Sequence, residues 1–465
     1  MDDSSWIEKE FCSLDLGDKR LNRRALKVAN AFMNNPSESV STACDNWPEA
    51  KAAYRLFDND KLDEKYILSL HQQETIQRLN ISDAKIFFSI QDTTIFNYTH
   101  HQKKTGLGKF HMGVGFDSSL HGCLAHNTLL FTETGEPLGL LDQSIFIHQS
   151  DKKHHKLRPI SEKESYRWIQ SLQTTHQLCS SKEVVTLCDR ESDIYEFFVK
   201  AQALGSKVVV RAARDRILSQ STRQNSITLW PYLKQQPLCA KHALKLPARH
   251  NHPERIAHLE IRYAQISIKA PQRKPEAKLK QLLNLGLNAV WVCEPHPPEG
   301  IEGLEWMLLT NCPVNNSDNA LQIAQWYKFR WKIECYHRIL KSGCKVEDCR
   351  LETFERLRRY LTLKSIIAYR LFWLTLINRA KPNESCEQVL TPLEWKVLYC
   401  RIYKTNKVPR KSLTVRDVIH MIAKLGGFLG RKSDGEPGMT TIWRGWNKLT
   451  ELVQLASIMD RKTCG

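Results

Sequence analysis

Two apolar runs of strand length, AKIFFSIQD at residues 84–92 and EVVTLCD at residues 183–189, both close on an aspartate. Runs of this kind bounded by polar and turn-forming residues read as buried strands, and a chain carrying them must build a sheet core. Around them the pattern alternates between strand and helix. CLAHNTLLF and LGLLDQSIFI flank the turn-like Glu133, Thr134, Gly135, Glu136 and Pro137, which suggests a hairpin. Residues 163–178 and 194–204 have helical spacing, and KVVVRAA at 207–213 is a further strand, so the expected order is βββαβαβ.

The flanks differ in character. Residues 1–72 show no strand alternation and read as short basic helices, with Leu21, Ala25, Leu26, Ala29 and Phe32 at helical spacing. Residues 216–304 hold short β-like stretches such as HLEIRYAQISIKA and NAVWVCEP, which make a β-rich insertion. A strand at 306–310 precedes one long helix expected from the N-cap Asn316 or Ser317 to Gly343, a residue suited to the left-handed stop. From 376 onward the pattern is helical again, with a basic turn at Lys407–Arg410 and a break at Gly426 and Gly427. The organisation expected is 1–72, a helical basic domain; 73–215 and 305–375, two parts of the α/β core; 216–304, the insertion; and 376–465, a helical domain.

Charge narrows the function. The 465 residues carry a formal charge of +18, with 42% hydrophobic residues, which excludes wholesale disorder and points to a polyanionic partner. The excess is local: residues 328–370 hold twelve Lys and Arg against five acids, and residues 401–424 hold seven against Asp417 alone. No apolar run is expected to reach the length of a membrane span, and fourteen cysteines without framework spacing read as thiols of a reducing compartment. Nucleic acid is therefore the expected partner, in the cytoplasm.

Asp92 and Asp189 stand at strand ends, where carboxylates project from a sheet edge and suit hard divalent cations. Either alone is most often a turn former or helix cap. Tyr327, Arg330, Glu334 and Lys341 follow one another at three, four and seven residues, which in a regular helix gathers a phenol, guanidinium, carboxylate and ammonium within about 60°. Trp326, Phe329, Ile333, Tyr336 and Leu340 supply the opposite, core-facing stripe, so the charged face is expected to be open. Three carboxylates ringed by cations fit two-metal displacement at a phosphodiester, with Arg330 as a bidentate phosphate clamp and Lys341 as a point charge. The alternative is a surface ion pair between Arg330 and Glu334.

With these residues in place, the sequence resembles the cut-and-paste DDE transposases of the bacterial insertion sequence four (IS-four) family, from about Leu16 to Leu452. The most specific match is the Y-x2-R-x3-E-x6-K signature formed by Tyr327, Arg330, Glu334 and Lys341 within WYKFRWKIECYHRILKSG. LGDKRLNRRAL, AYRLF, QDTT, EKES, CDRESDI and KLGGF support it in the same order. The resemblance implies an RNase H-like core with Asp92, Asp189 and Glu334 as catalytic metal ligands, and two Mg2+ or Mn2+ ions per site. It implies double-stranded DNA partners, namely transposon-end repeats and target, a homodimer in the synaptic complex, and association with the nucleoid. Chemistry through a hairpin intermediate is implied as well, with Trp306 stacking on a flipped base and Trp331 filling its gap. Arg24 and Arg55 match end-contacting positions; Tyr327, Arg330, Lys341 and Arg211 are the phosphate-binding candidates.

Cys335 follows Glu334 where a relative carries a second acid. Cys335, Cys344 and Cys349 with His337 are poorly spaced for zinc, and His154 and His155 in KKHHKLR read as a basic loop. Two rival functions stay open: a regulator that only occupies ends, and a structure-specific nuclease without joining activity.

Overall fold

The computed structural model describes residues 5–44, 46–111, 119–148, 158–222, 224–246, 254–271, 282–431 and 434–462. His154 and His155 lie outside them. The fold is mixed α/β, with helices at both ends of the chain, and it divides into two compact units.

One unit comprises residues 85–92 and 151–333. Its sheet begins with the first half of β1 (Ile86–Asn97), which pairs in parallel with β5 (Glu183–Cys188), itself parallel to β6 (Lys207–Arg211). Parallel neighbours need crossovers. Those here are α6 (Tyr166–Leu178) and α7 (Tyr195–Leu204), the latter closed by Gly205 at φ 66°. The sheet continues antiparallel through β10 (Glu305–Thr310), β9 (Leu285–Cys293), β8 (Arg255–Ile268) and β7 (Ala240–Leu246). Strands β7 to β9, from the β-rich stretch, therefore extend the core sheet edge to edge. Val208, Val210, Met307 and Leu309 point to one face, where Trp168, Leu172, Phe197 and Phe198 from the crossovers and Leu229 and Leu233 of α8 (Leu229–Lys234) bury them. The other face is covered by α9 (Ser317–Tyr327) and its continuation, with Phe88 against Trp326 and Phe329 at ring-centroid distances of 5.9 and 4.9 Å.

The other unit comprises residues 1–84, 93–150 and 334–465. It opens with α1 (Trp6–Glu10), α2 (Lys19–Asn34), α3 (Val40–Ala43), α4 (Trp47–Phe57) and α5 (Glu64–Ile81). Next come β2 (Gly108–His111), β3 (Ser119–Thr132) and β4 (Pro137–Phe146), joined as antiparallel neighbours. The hairpin at residues 133–136 is as expected, whereas β2 adds a fourth strand to the three expected before α6.

Helix α11 (Phe354–Ala380) is the spine of this unit. It is long and apolar enough to cross a membrane, which corrects the expectation that no segment would be. Yet nearly all of its apolar stretch is buried in the protein, so its length serves a core. Arg356 and Arg359 in its first turns pair with Asp58 at 2.8 Å and Asp60 at 2.6 Å, and Arg358 pairs with Glu64. Lys364, fully buried, donates to Pro36 O at 2.9 Å and sits 4.0 Å from the Phe32 ring centroid. The terminal helices are α12 (Pro392–Tyr403), α13 (Val415–Leu425) and α14 (Met439–Lys462).

The long helix expected from 316 to 343 is correct at its start, where Asn316 Oδ1 accepts from Asn319 N at 2.9 Å, and wrong in its continuity. After α9 the chain tightens into a 3-10 turn at Lys328–Arg330, resumes as α10 (Trp331–Arg338) and loosens into a π turn at Ile339–Gly343. Gly343 does not take the left-handed stop. A Cβ there would lie 3.1 Å from the Trp443 ring, so the glycine serves close packing, and Lys345 takes positive φ at 47° instead.

Candidate active site and nucleic-acid interface

Strand register decides which side chains share a face. In a parallel pair, partners in register point the same way, about 4.8 Å apart. Ile90 lies opposite Leu187, and continuing that register by two residues sets Asp92 against Asp189. Leu187 is paired with Val209, two residues before Arg211, and Arg211 is paired with Leu308, two residues after Trp306. Asp92, Asp189, Arg211 and Trp306 therefore project from one face of one sheet, the face that α9 covers. Four residues separated by more than two hundred positions in sequence are brought together by pairing alone.

The chemistry of that face is charged and partly dry. Arg330 lies 3.8 Å from Asp92, with side chains 16% and 13% exposed. Asp189 caps the short 3-10 turn at Arg190–Ser192, its Oδ1 accepting from Glu191 N at 2.8 Å. The capping reading and the functional one are thus compatible, because the cap fixes the carboxylate while using one oxygen. Burial raises the Asp189 pKa above the ordinary carboxylate range, against the opposing pull of the Glu191 hydrogen bond and of Arg330 and Arg167. Such a shift marks a carboxylate that gains from a cation. Arg211 donates to Glu305 O at 2.7 Å, and desolvation lowers its pKa, as do the neighbouring Arg190 and Arg330 charges.

Tyr327 is buried, packed edge-on against half-buried Trp306 at 5.6 Å, and its hydroxyl is buried with no hydrogen-bond partner among the described residues. Desolvation raises its pKa strongly. The expectation of an open face through Tyr327, Arg330, Glu334 and Lys341 is corrected here. Tyr327 is buried and Arg330, Glu334 and Lys341 are half-buried; a 3-10 turn, at about 120° per residue, still keeps Tyr327 and Arg330 on one side, so packing and not lost phase closes the face. Trp331, by contrast, is 49% exposed.

Glu334 belongs to the other unit, half-buried on α10 four residues beyond Arg330. Lys341 lies in the π turn of that unit, half-buried, 6.0 Å from the Phe96 ring centroid, and desolvation lowers its pKa. Among the described residues no group of three or more His, Cys, Asp and Glu side chains is gathered for a metal ion. The two aspartates, adjacent and oxygen-bearing, nevertheless suit a hard divalent cation, with one oxygen of Asp189 left by its cap. Of the zinc candidates, His337 is occupied by Asn127 at 3.0 Å, and Cys344 and Cys349 are buried thiols.

Sequence reasoning missed Arg167 and Glu191, which pair beside Asp189. Glu191 lies in the matched motif CDRESDI and Arg167 two residues beyond EKES, yet nothing in either segment announces their pairing. In CDRESDI, Asp193 takes a structural role, holding Arg216 at 2.5 Å and Ala213 N at 2.8 Å.

Arg24 is on α2 and Arg55 in the last turn of α4, Arg24 half-buried and Arg55 exposed. Arg20, Arg23, Arg24, Lys27 and Glu49 line a groove of about 450 Å3 together with Val28, Ala31, Pro48 and Ala52.

Family models match along most of the chain: Transposase DNA-binding at residues 3–62, Transposase DDE domain at 156–371 and Transposase Tn5 dimerisation domain at 366–462. The first spans the basic groove and the second spans Asp189 through Lys341. The DDE domain implies an RNase H-like core, and the third domain implies a homodimer. The chain belongs to the Tn5-like DDE transposases, DNA-binding enzymes that cleave DNA and transfer strands in a metal-dependent reaction.

Proposed function

We propose that this transposase works by cut and paste, with Asp92, Asp189 and Glu334 as its catalytic carboxylates. The observation that carries the reading is the shared face of Asp92 and Asp189, on adjacent strands, beside Arg330 and the Tyr327 hydroxyl, unpartnered among the described residues. Two Mg2+ or Mn2+ ions held by the three carboxylates would activate the attacking oxygen and stabilise the leaving one. Arg330 and Arg211 neutralise a phosphodiester approaching this face, and Tyr327, buried against Trp306, is assigned to phosphate binding by the Tyr-Arg-Glu-Lys signature. Lys341 supplies a further cation. The first strand is hydrolysed, and the freed 3′ hydroxyl attacks the opposite strand to close a hairpin. Trp306 stacks on the base that leaves the helix, and Trp331 occupies its gap.

We assign end binding to residues 1–72, catalysis to 73–215 and 305–375, a β insertion to 216–304 and subunit pairing to 376–465. Leu455, Ile458 and Met459, exposed at helical spacing on α14, suit an interface between copies within the synaptic complex. The enzyme acts in the cytoplasm, on DNA of the nucleoid and on target DNA alike. The test is incubation with labelled inverted-repeat ends, Mg2+ and a supercoiled target. Nicks, hairpins and joined products are expected in that order. Cleavage without joining would favour the nuclease alternative.

A further inference from the structure

Trp47 is the first residue of α4 and is 69% exposed, unusual for the side chain with the largest apolar area. The buried residues of this helix are Ala50, Ala53, Leu56 and Phe57, and Asn46 caps it through Glu49 N at 3.0 Å, so its geometry is set without the indole. Trp47, Lys51 and Arg55 recur every four residues, advancing about 40° each on a regular helix. All three are exposed, so they form a single ridge. The next residues, Pro48 and Glu49, line the groove that Arg20, Arg23, Arg24 and Lys27 surround. An aromatic at the end of a cationic ridge, bordering a cationic groove, is arranged for nucleic acid: cations meet phosphates and the ring meets bases.

We propose that Trp47 contacts the bases of the bound DNA end, wedging its indole against a base step while Lys51, Arg55 and the groove cations hold the flanking phosphates. The indole carries no charge, so it releases no counterions, whereas each Lys or Arg contact does. Loss of the ring therefore weakens binding at every salt concentration by the same factor.

The test uses the full-length protein, a duplex carrying the element's terminal repeat, and a fluorescent base analogue stepped through the repeat. Trp47→Ala is expected to lower affinity roughly five- to 150-fold, with an unchanged slope of log affinity against log salt. Trp47→Phe should recover most of the loss, and the analogue signal at one step should depend on the ring. Arg55→Ala should instead reduce the slope by about 0.9. Thermal melting checks that the variants fold. Wild-type affinity in Trp47→Ala, a changed slope, or an analogue signal indifferent to the ring would overturn the proposal. A change in subunit association with DNA binding intact would do so too, by assigning the ring to a protein contact.

Discussion

Arg55 stands in solvent on the outer ridge of α4, whereas Arg330 lies against Asp92 with 16% of its side chain exposed. Both are candidates for holding DNA, under opposite physical conditions. Exposed cations act through counterion release, so their contributions are modest, nearly interchangeable and erased by salt. Charges on a partly dry sheet face interact more strongly, but only at fixed geometry. The basic groove is thus suited to finding and gripping an end, and the sheet face to discriminating a transition state.

The sharpest way to break this contrast is to remove carboxylates. Asp92→Ala, Asp189→Ala or Glu334→Ala should each lower metal-dependent cleavage about a thousandfold, equivalent to about 4 kcal/mol, with end binding nearly unchanged in gel shifts. Cleavage within tenfold of wild type for any of them would falsify its role.

An intermediate effect is expected at Trp306, which faces the same side as the aspartates. Trp306→Ala should slow hairpin closure roughly five- to 150-fold and spare first-strand nicking, read on a denaturing gel with labelled strands. Because Trp306 also packs on Tyr327, equal slowing of both steps would mean that the ring supports the Tyr327 pocket and takes no part in base flipping.

At the basic-groove end of the comparison, Arg24→Ala or Arg55→Ala should weaken end binding and reduce its salt slope by about 0.9 each, without changing the cleavage rate of saturated complex. A rate effect at saturation would put these residues among the catalytic ones.

The smallest effect concerns charge that is wholly buried and fully paired. His71 accepts from Leu140 N at 2.8 Å through Nε2 and meets Glu10 through Nδ1, while Arg78 grips Glu10 at 2.9 and 3.0 Å. Burial lowers the His71 pKa below its ordinary 6.5, against the pull of Glu10. The unfolded chain then takes a proton that the folded one refuses, so stability declines as pH falls through 6.5. Burial pushes Glu10 upward, but His71 and Arg78 hold it at about 2, which adds a second decline between 4.5 and 2. Melting temperatures between pH 7.5 and 5.5 should fall, and fall less in His71→Gln.

Much of the candidate site was legible before folding, and the illegible part has identifiable causes. FFSIQD and VVTLCD marked buried strands with polar ends because local composition sets strand burial. Asn316 was readable as a cap because capping involves only three following residues. The continuity of the helix through 343 was not readable. Helical phase depends on packing, which here imposes a 3-10 turn before Trp331 and a π turn that seats Gly343 against Trp443. Likewise, the apolar stretch at 354–380 shows in sequence as a greasy helix, but only its surroundings distinguish a core spine from a membrane span.

By itself the sequence determined which residues could do chemistry: the order of the motifs, the strand-end aspartates, the Tyr-Arg-Glu-Lys spacing and the cationic excess. Those are local properties, written in residue type and separation along the chain. Tertiary structure alone decided that Asp92, Asp189, Arg211 and Trp306 share a face, that Tyr327 is buried with its hydroxyl unpartnered among the described residues, and that Trp47 is left in solvent. The reason is that strand register and burial are set by contacts between segments distant in sequence, and a register shifted by one residue would turn a strand's side chains to the opposite face.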